Sequence, residues 1–310
     1  MAGVPVDRRP VSPLVESVLH PSDFSTGSDA AFAHALALAL VRGTRLTILH
    51  AGAEPRSSRT WERFPSVRAR LERWGLLERG SPRSAVSKEL AVQVKKVAVR
   101  DRKPVSGILN YLESREFDLL VLATRGAKGP PRWLKPSVSG RLARRAKTLT
   151  LFVPRGARGF VSSDDGSFVL RRILVPVDHR PDPRAAMELA ARAARLLGSG
   201  DTEVTVLHVG SRGRMPKTRI PDDLSCNWEV ATARGKVVDE IVAAADRIPA
   251  DLIVMVTAGR EGLVEALRGG TTEKLLRRTR CPLLTVPEDW VDRLAFEAEV
   301  GLSRDPASQA

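Results

Sequence analysis

Four short segments of this chain occur twice, in the same order, and that duplication constrains the fold more than any other feature. Val18-Leu19-His20-Pro21-Ser22-Asp23 returns as Ile173-Leu174-Val175-Pro176-Val177-Asp178, and Leu46-Thr47-Ile48-Leu49-His50-Ala51 as Val204-Thr205-Val206-Leu207-His208-Val209. Phe117-Asp118-Leu119-Leu120-Val121-Leu122 returns as Ala250-Asp251-Leu252-Ile253-Val254-Met255, and Thr150-Leu151-Phe152-Val153-Pro154 as Leu283-Leu284-Thr285-Val286-Pro287. The first pair is offset by 155 residues and the last two by 133, so the first copy carries about two dozen extra residues between His50 and Phe117. Four ordered matches are not an accident of composition; the chain holds two copies of one unit.

Each repeated segment is a short run of Val, Ile and Leu without polar alternation, the pattern of a strand buried on both faces of a parallel sheet. Between the first and second runs the spacing predicts helices over 31–41 and 184–197, stopped by Gly43 and Gly198, since glycine just past a helix is the usual left-handed terminator. Further helices are predicted over 105–112 and 237–245, before the Asp-led strands, and over 137–146 and 272–278, before the last ones. Strands alternating with helices specify the α/β class: two tandem, doubly wound, Rossmann-like parallel-sheet domains of about five strands each. The expected boundaries are 14–154 and 170–288. Between them lies an exposed linker at 155–169, rich in Gly, Ser and Asp, and after them a tail at 289–310. The extra residues form a helical insertion over about 53–90. Its Val67, Leu71, Trp74 and Leu77 share one helical face and predict a lid packed on its own domain.

Bulk properties narrow the function class. With 310 residues, 43% hydrophobic and 28% charged, the chain can bury two cores and is not of disordered composition. The longest apolar run, 30–41, is broken by His34 and falls short of the roughly 20 residues that cross a bilayer. No apolar segment follows Arg8 and Arg9, so the expected location is the cytoplasm, with no membrane partner. Cys226 and Cys281 make neither a disulfide framework nor a metal-ligand spacing. Residues 1–163 carry 29 Lys/Arg against 13 Asp/Glu, a net of +16, while residues 164–310 carry 21 against 23, a net of −2. Such asymmetry suggests an anionic partner for the first half. Nucleic acid is the weaker choice, because Trp61, Phe64, Trp74 and Trp133 in the basic spans fit apolar helix faces better than stacking platforms. No phosphate-binding Gly-x-x-x-x-Gly-Lys-Ser/Thr loop, His-Glu-x-x-His or Gly-x-Ser-x-Gly is present, and no catalytic or metal constellation stands out.

The strand-end motifs Pro21-Ser22-Asp23 and Pro176-Val177-Asp178, with a glycine loop after the fourth strand, resemble the universal stress protein family over about 14–154 and 170–288. ATP-binding members carry Gly-x-x-Gly, nine residues, then Gly-Ser/Thr in that loop. Here the first copy reads Ala123-Thr124-Arg125-Gly126, nine residues, then Pro136-Ser137-Val138. The second reads Val256-Thr257-Ala258-Gly259, nine residues, then Gly269-Gly270-Thr271-Thr272.

The resemblance implies an adenine nucleotide such as ATP. Pro21 with Asp23, and Pro176 with Asp178, would meet the adenosine end, and Ala51 and Val209, at the ends of the second strands, would lie beside the base. Arg125, Gly126, Ser137 and Val138 in the first copy, and Gly259, Gly269 and Thr271 in the second, would surround the phosphates. Glycines let backbone N–H groups approach an anion, whereas Pro136 removes a donor and Ala123 and Val256 add a Cβ. The expectation is therefore a non-enzymatic stress-response protein that binds nucleotide weakly or in one half only, with slow ATP hydrolysis or nucleic-acid binding as alternatives. Asp23 and Asp178 also suit a simple turn-capping role, and His50 and His208 read as core histidines satisfied by backbone groups. Family members commonly dimerise through their last strand, so residues 149–153 and 282–286 would make this chain its own pseudo-dimer.

Overall fold

The computed structural model describes residues 15–53, 61–124, 148–157, 159–221, 226–257, 270–288 and 290, and in it every repeated apolar run is a strand. The first copy supplies β1 (Ser17–Pro21), β2 (Arg45–Gly52), β3 (Gln93–Arg100), β4 (Leu119–Thr124) and β5 (Leu149–Pro154). The second supplies β6 (Leu170–Val177), β7 (Gly198–Val209), β8 (Cys226–Ala233), β9 (Leu252–Thr257) and β10 (Leu283–Pro287). They form one ten-stranded sheet in the order β3-β2-β1-β4-β5-β10-β9-β6-β7-β8, which reads the same from either edge. All neighbours are parallel except β5 and β10, which meet antiparallel at the centre with Leu283 opposite Phe152, Leu284 opposite Leu151 and Thr285 opposite Thr150. The expected last-strand seam is thus where the two copies join.

Helices cover both faces, as a parallel sheet requires. On one face lie α1 (Asp29–Arg42) and α5 (Arg184–Leu197), whose buried Ala31, Phe32, Leu36, Ala186, Met187 and Ala190 pack with Val18, Ile48, Ile173 and Val175. On the other lie α4 (Pro104–Glu113), α6 (Val237–Arg247) and α7 (Thr271–Arg278), through Ile108, Tyr111, Ile241, Leu275 and Leu276. Among the described residues no helix is long and apolar enough to cross a membrane.

The insertion contains α2 (Val67–Arg73) and α3 (Ala85–Leu90). Phe64, Val67, Leu71, Trp74 and Leu77 are all buried in the α1-side core, but the helix stops at Arg73, and Trp74 and Leu77 reach that core from the turn beyond it rather than from one helical face. Arg70 is buried with it. Its guanidinium pairs with Asp29 of α1 and lies 5.6 Å from the Phe32 ring centre and 5.9 Å from that of Trp74.

Two further expectations change. Gly43 is left-handed at the end of α1 (φ 63°), as predicted, but Gly198 is extended (φ −83°, ψ 170°) and opens β7 directly. A Cβ at Gly198 would collide with Ala194 O and Thr202 Oγ1, so glycine is needed there for close approach rather than for handedness. The linker, in turn, is exposed at its start, Arg155 and Gly156, and at its tip, Ser163, Asp164 and Asp165, but is anchored between them. Val161 bridges Phe168, and Phe160, buried, meets the His34 ring of α1 edge-on at 4.6 Å. Trp74 Nε1 donates to Ser163 O at 3.1 Å, and the left-handed Gly166 sits against the same indole, so the insertion clasps the linker.

Candidate functional site

Strand order reverses once in each half, beside the first strand. β1 pairs with β2 on one side and β4 on the other, and β6 likewise with β7 and β9. α1, which follows β1, and α4, which precedes β4, pack on opposite faces. The carboxyl ends at this point therefore border a crevice, the place where doubly wound sheets take ligands. Pro21 and Asp23 lie there in the first half, and Pro176 and Asp178 in the second.

The chain leaves β1 through a tightly bonded loop. Asp23 Oδ1 accepts from Ser25 N at 2.9 Å, Ser25 Oγ at 2.6 Å and Ser28 Oγ at 3.0 Å, which organises the turn into α1. Partial burial pushes the Asp23 carboxyl up, but these donors outweigh it and hold the acid below its usual range. The capping role is thus realised, and it presents a carboxylate, ionised at neutral pH, at the crevice. In the second half Asp178 is exposed and its Oδ1 accepts from His179 N at 2.8 Å.

The strand histidines behave as core residues. The His50 ring nitrogen Nδ1 lies 2.8 Å from Ser22 O, and its match in the second copy, His208, lies 3.3 Å from Val177 O. Each pins the end of the first strand to the second. Ala51 is buried, and a Cβ on Gly107 of α4 would stand 3.2 Å from its own, so its side chain packs beneath that helix; Val209 packs in the same layer.

Sequence reasoning missed the residue after each aspartate. Phe24 is left-handed (φ 60°), a conformation that is strained for a bulky residue. Its ring stacks on His50 at 3.9 Å, meets Phe64 edge-on at 4.9 Å and lies 5.0 Å from the Arg63 guanidinium. Trp61, 43% exposed, stacks on Phe64 in turn. At the equivalent position His179 approaches His208 edge-on at 6.4 Å and its Nε2 lies 2.8 Å from Arg214 O. The insertion therefore walls the first crevice with aromatic rings.

Of the expected phosphate contacts, Arg125, Gly126, Ser137, Val138, Gly259 and Gly269 lie outside the described residues. Thr271 opens α7 after Gly270, partly exposed, while the neighbouring Thr272 is buried with its hydroxyl 3.8 Å from Met255 Sδ. The structure thus brings Pro21, Asp23 and the end of β2 together, and Pro176, Asp178 and the end of β7. No group of three His, Cys, Asp or Glu placed to hold a metal occurs among the described residues.

The sequence profile of the Universal stress protein family matches residues 15–154 and 226–287, more than half of the chain. The stretch between, which includes β6, α5 and β7, falls outside the match although its strands pair as in the first copy. A universal stress protein of Methanocaldococcus jannaschii is 23% identical over 147 residues, 39% of this chain and 85% of that protein. Among solved structures, a universal stress protein from Archaeoglobus fulgidus is 18% identical with a TM-score of 0.54, covering 88% of this chain and 99% of that one. A functionally unknown protein from Pseudomonas aeruginosa PAO1 is 16% identical with a TM-score of 0.54, covering 92% of this chain and 98% of its own. At such identities the structural likeness speaks for the fold, and the profile match speaks for descent: the chain belongs to the universal stress protein family.

Proposed function

We propose that the protein is a non-enzymatic stress-response module that binds an adenine nucleotide such as ATP, weakly or in one half only. The observation that carries this reading is the recurrence of an aspartate, Asp23 and Asp178, just beyond the first strand of each copy, where strand order reverses. An acid at that point suits donor groups of a base or ribose, and the strand ends and loops around it leave backbone groups to complete the contact. Departures from the family loop argue against two good sites. Pro136 lacks a donor N–H, and Val256 puts a branched side chain where close backbone approach is wanted. Isothermal titration of the full chain with ATP tests the reading. At most one site, of modest affinity, is expected; two equal, tight sites would overturn it, as would no binding at all.

A further inference from the structure

We infer that the two crevices are charged in opposite senses at one equivalent point, so that Arg155 makes the first a seat for a polyphosphate group and Glu288 withholds the second from it. The identity of the ligand as a nucleotide rests on the reading above; the anion preference does not.

β5 and β10 end in matching prolines, Pro154 and Pro287, and the next residues are Arg155 and Glu288. Arg155 N donates to Thr124 O at 2.7 Å, which holds it over the carboxyl end of β4. Its stem crosses Gly27, where a Cβ would stand 3.0 Å from Arg155 Cδ and 3.3 Å from Nε. The Ser25 hydroxyl, a donor to Asp23, reaches the same point at 3.4 Å. The residue that matches Gly27 in the second copy, at the 155-residue offset, is Asp182, and its N–H donates to Glu288 Oε1 at 3.4 Å. The same contact between last strand and first loop is therefore made twice, once by a cation over a glycine and once by an acid over an acid. Arg184 is engaged with Asp182 at 2.7 Å.

A second observation separates the halves independently. Thr124 Oγ1, at the end of β4 beneath the Arg155 amide, is buried and has no hydrogen-bond partner. Its match in the second half, Thr257, donates to Val286 O at 3.4 Å. A buried hydroxyl without a partner is costly unless something else uses it. Thr124 pairs with Pro154, the residue before the exposed Arg155, in the half that carries the whole surplus of positive charge, and the group that fits there is an anion.

The test is titration of the full-length protein with tripolyphosphate and with ATP, using Arg155→Gln and Glu288→Arg. Both side chains reach solvent, and an unchanged melting temperature confirms folding. The expected result is one tripolyphosphate site, weakened about tenfold by Arg155→Gln, and a second site gained in Glu288→Arg. Tripolyphosphate that fails to bind, or that binds Arg155→Gln as well as wild type, overturns the role of Arg155 even if ATP still binds. Absence of a second site in Glu288→Arg overturns the role of Glu288. ATP that binds no better than tripolyphosphate, with the Arg155 effect intact, overturns the nucleotide reading and leaves the anion seat standing.

Discussion

Leu151 of β5 lies opposite Leu284 of β10, and each is the other's match in the duplicated sequence. The seam is therefore self-complementary in the manner of a twofold dimer: Thr150 faces Thr285, and their matches, Leu283 and Phe152, face each other. Thr285 Oγ1 adds a bond to Thr150 O at 3.3 Å. Both leucines are buried, so Leu151→Ala and Leu284→Ala should each cost about 2–5 kcal/mol. Because they touch one junction, the double variant should deviate from additivity. Urea unfolding should show one transition for the whole chain; two separate transitions in wild type would contradict a shared seam.

Acid should destabilise the protein through two buried histidines of the first half. Burial lowers His20 and His34 to about 4, against the usual histidine value of about 6.5. In each, Nδ1–H donates to a carbonyl, Val121 O at 3.0 Å and Ala30 O at 2.7 Å, while Nε2 is buried without a partner. Both rings stay neutral in the fold but take up a proton when unfolded. Stability is therefore full above about pH 6.5 and falls as pH drops toward 4, by about 1.4 kcal/mol per unit for each ring. Denaturation midpoints measured from pH 7 to 4 should slope downward, and His20→Gln with His34→Gln should flatten the slope.

Trp74 ties three segments together, since it packs on α1 through Arg70 and Phe32 and bonds the linker at Ser163. Trp74→Ala should cost about 3–5 kcal/mol. It should also release the linker hairpin, in which Ser162 N donates to Ser167 O at 2.9 Å. Hydrogen exchange at Ser162 and Gly166 should accelerate more than exchange in β6; equal acceleration in both would mean global loosening instead.

Asp118 and Asp251 perform one task in two places. Asp118 Oδ2 accepts from Glu16 N, Ser17 N and Ser17 Oγ at 2.9–3.0 Å, and Asp251 Oδ2 from Arg171 N and Arg172 N at 2.9 Å. Each anchors the start of the fourth strand to the start of the first. Replacing either by Ala strands backbone donors and should cost about 1–3 kcal/mol. The two losses should add within a few tenths of a kcal/mol, because they share no partner.

The seam and most of the strands were legible because a strand buried on both faces must be apolar, and a duplicated one announces itself twice. The edge strands β3 and β8 were not, since Gln93, Lys95, Lys96 and Glu229 face solvent and dilute the apolar signal. The linker read as an exposed joint because its Gly, Ser and Asp dominate; the burial of Phe160 depends on a shelf formed by α1 and on Trp74, almost ninety residues earlier. The aspartates at the site were visible as a repeated motif. Phe24, Arg155 and Glu288 were not, because their neighbours come from other strands. The opposition of Arg155 and Glu288 becomes apparent only when two different sequence offsets are brought to the same point in space.

Fusing two copies through β5 and β10 has a consequence for inheritance. Both of these strands are hydrogen-bonded on each side, β5 between β4 and β10, β10 between β5 and β9. No separate subunit can compete for that junction, and the two halves are always made in a one-to-one ratio. Each half meets the same companion in every molecule, so a change in one can be matched by the other without regard to any self-pairing requirement. A homodimer, in which each substitution appears twice, has no such licence to become lopsided.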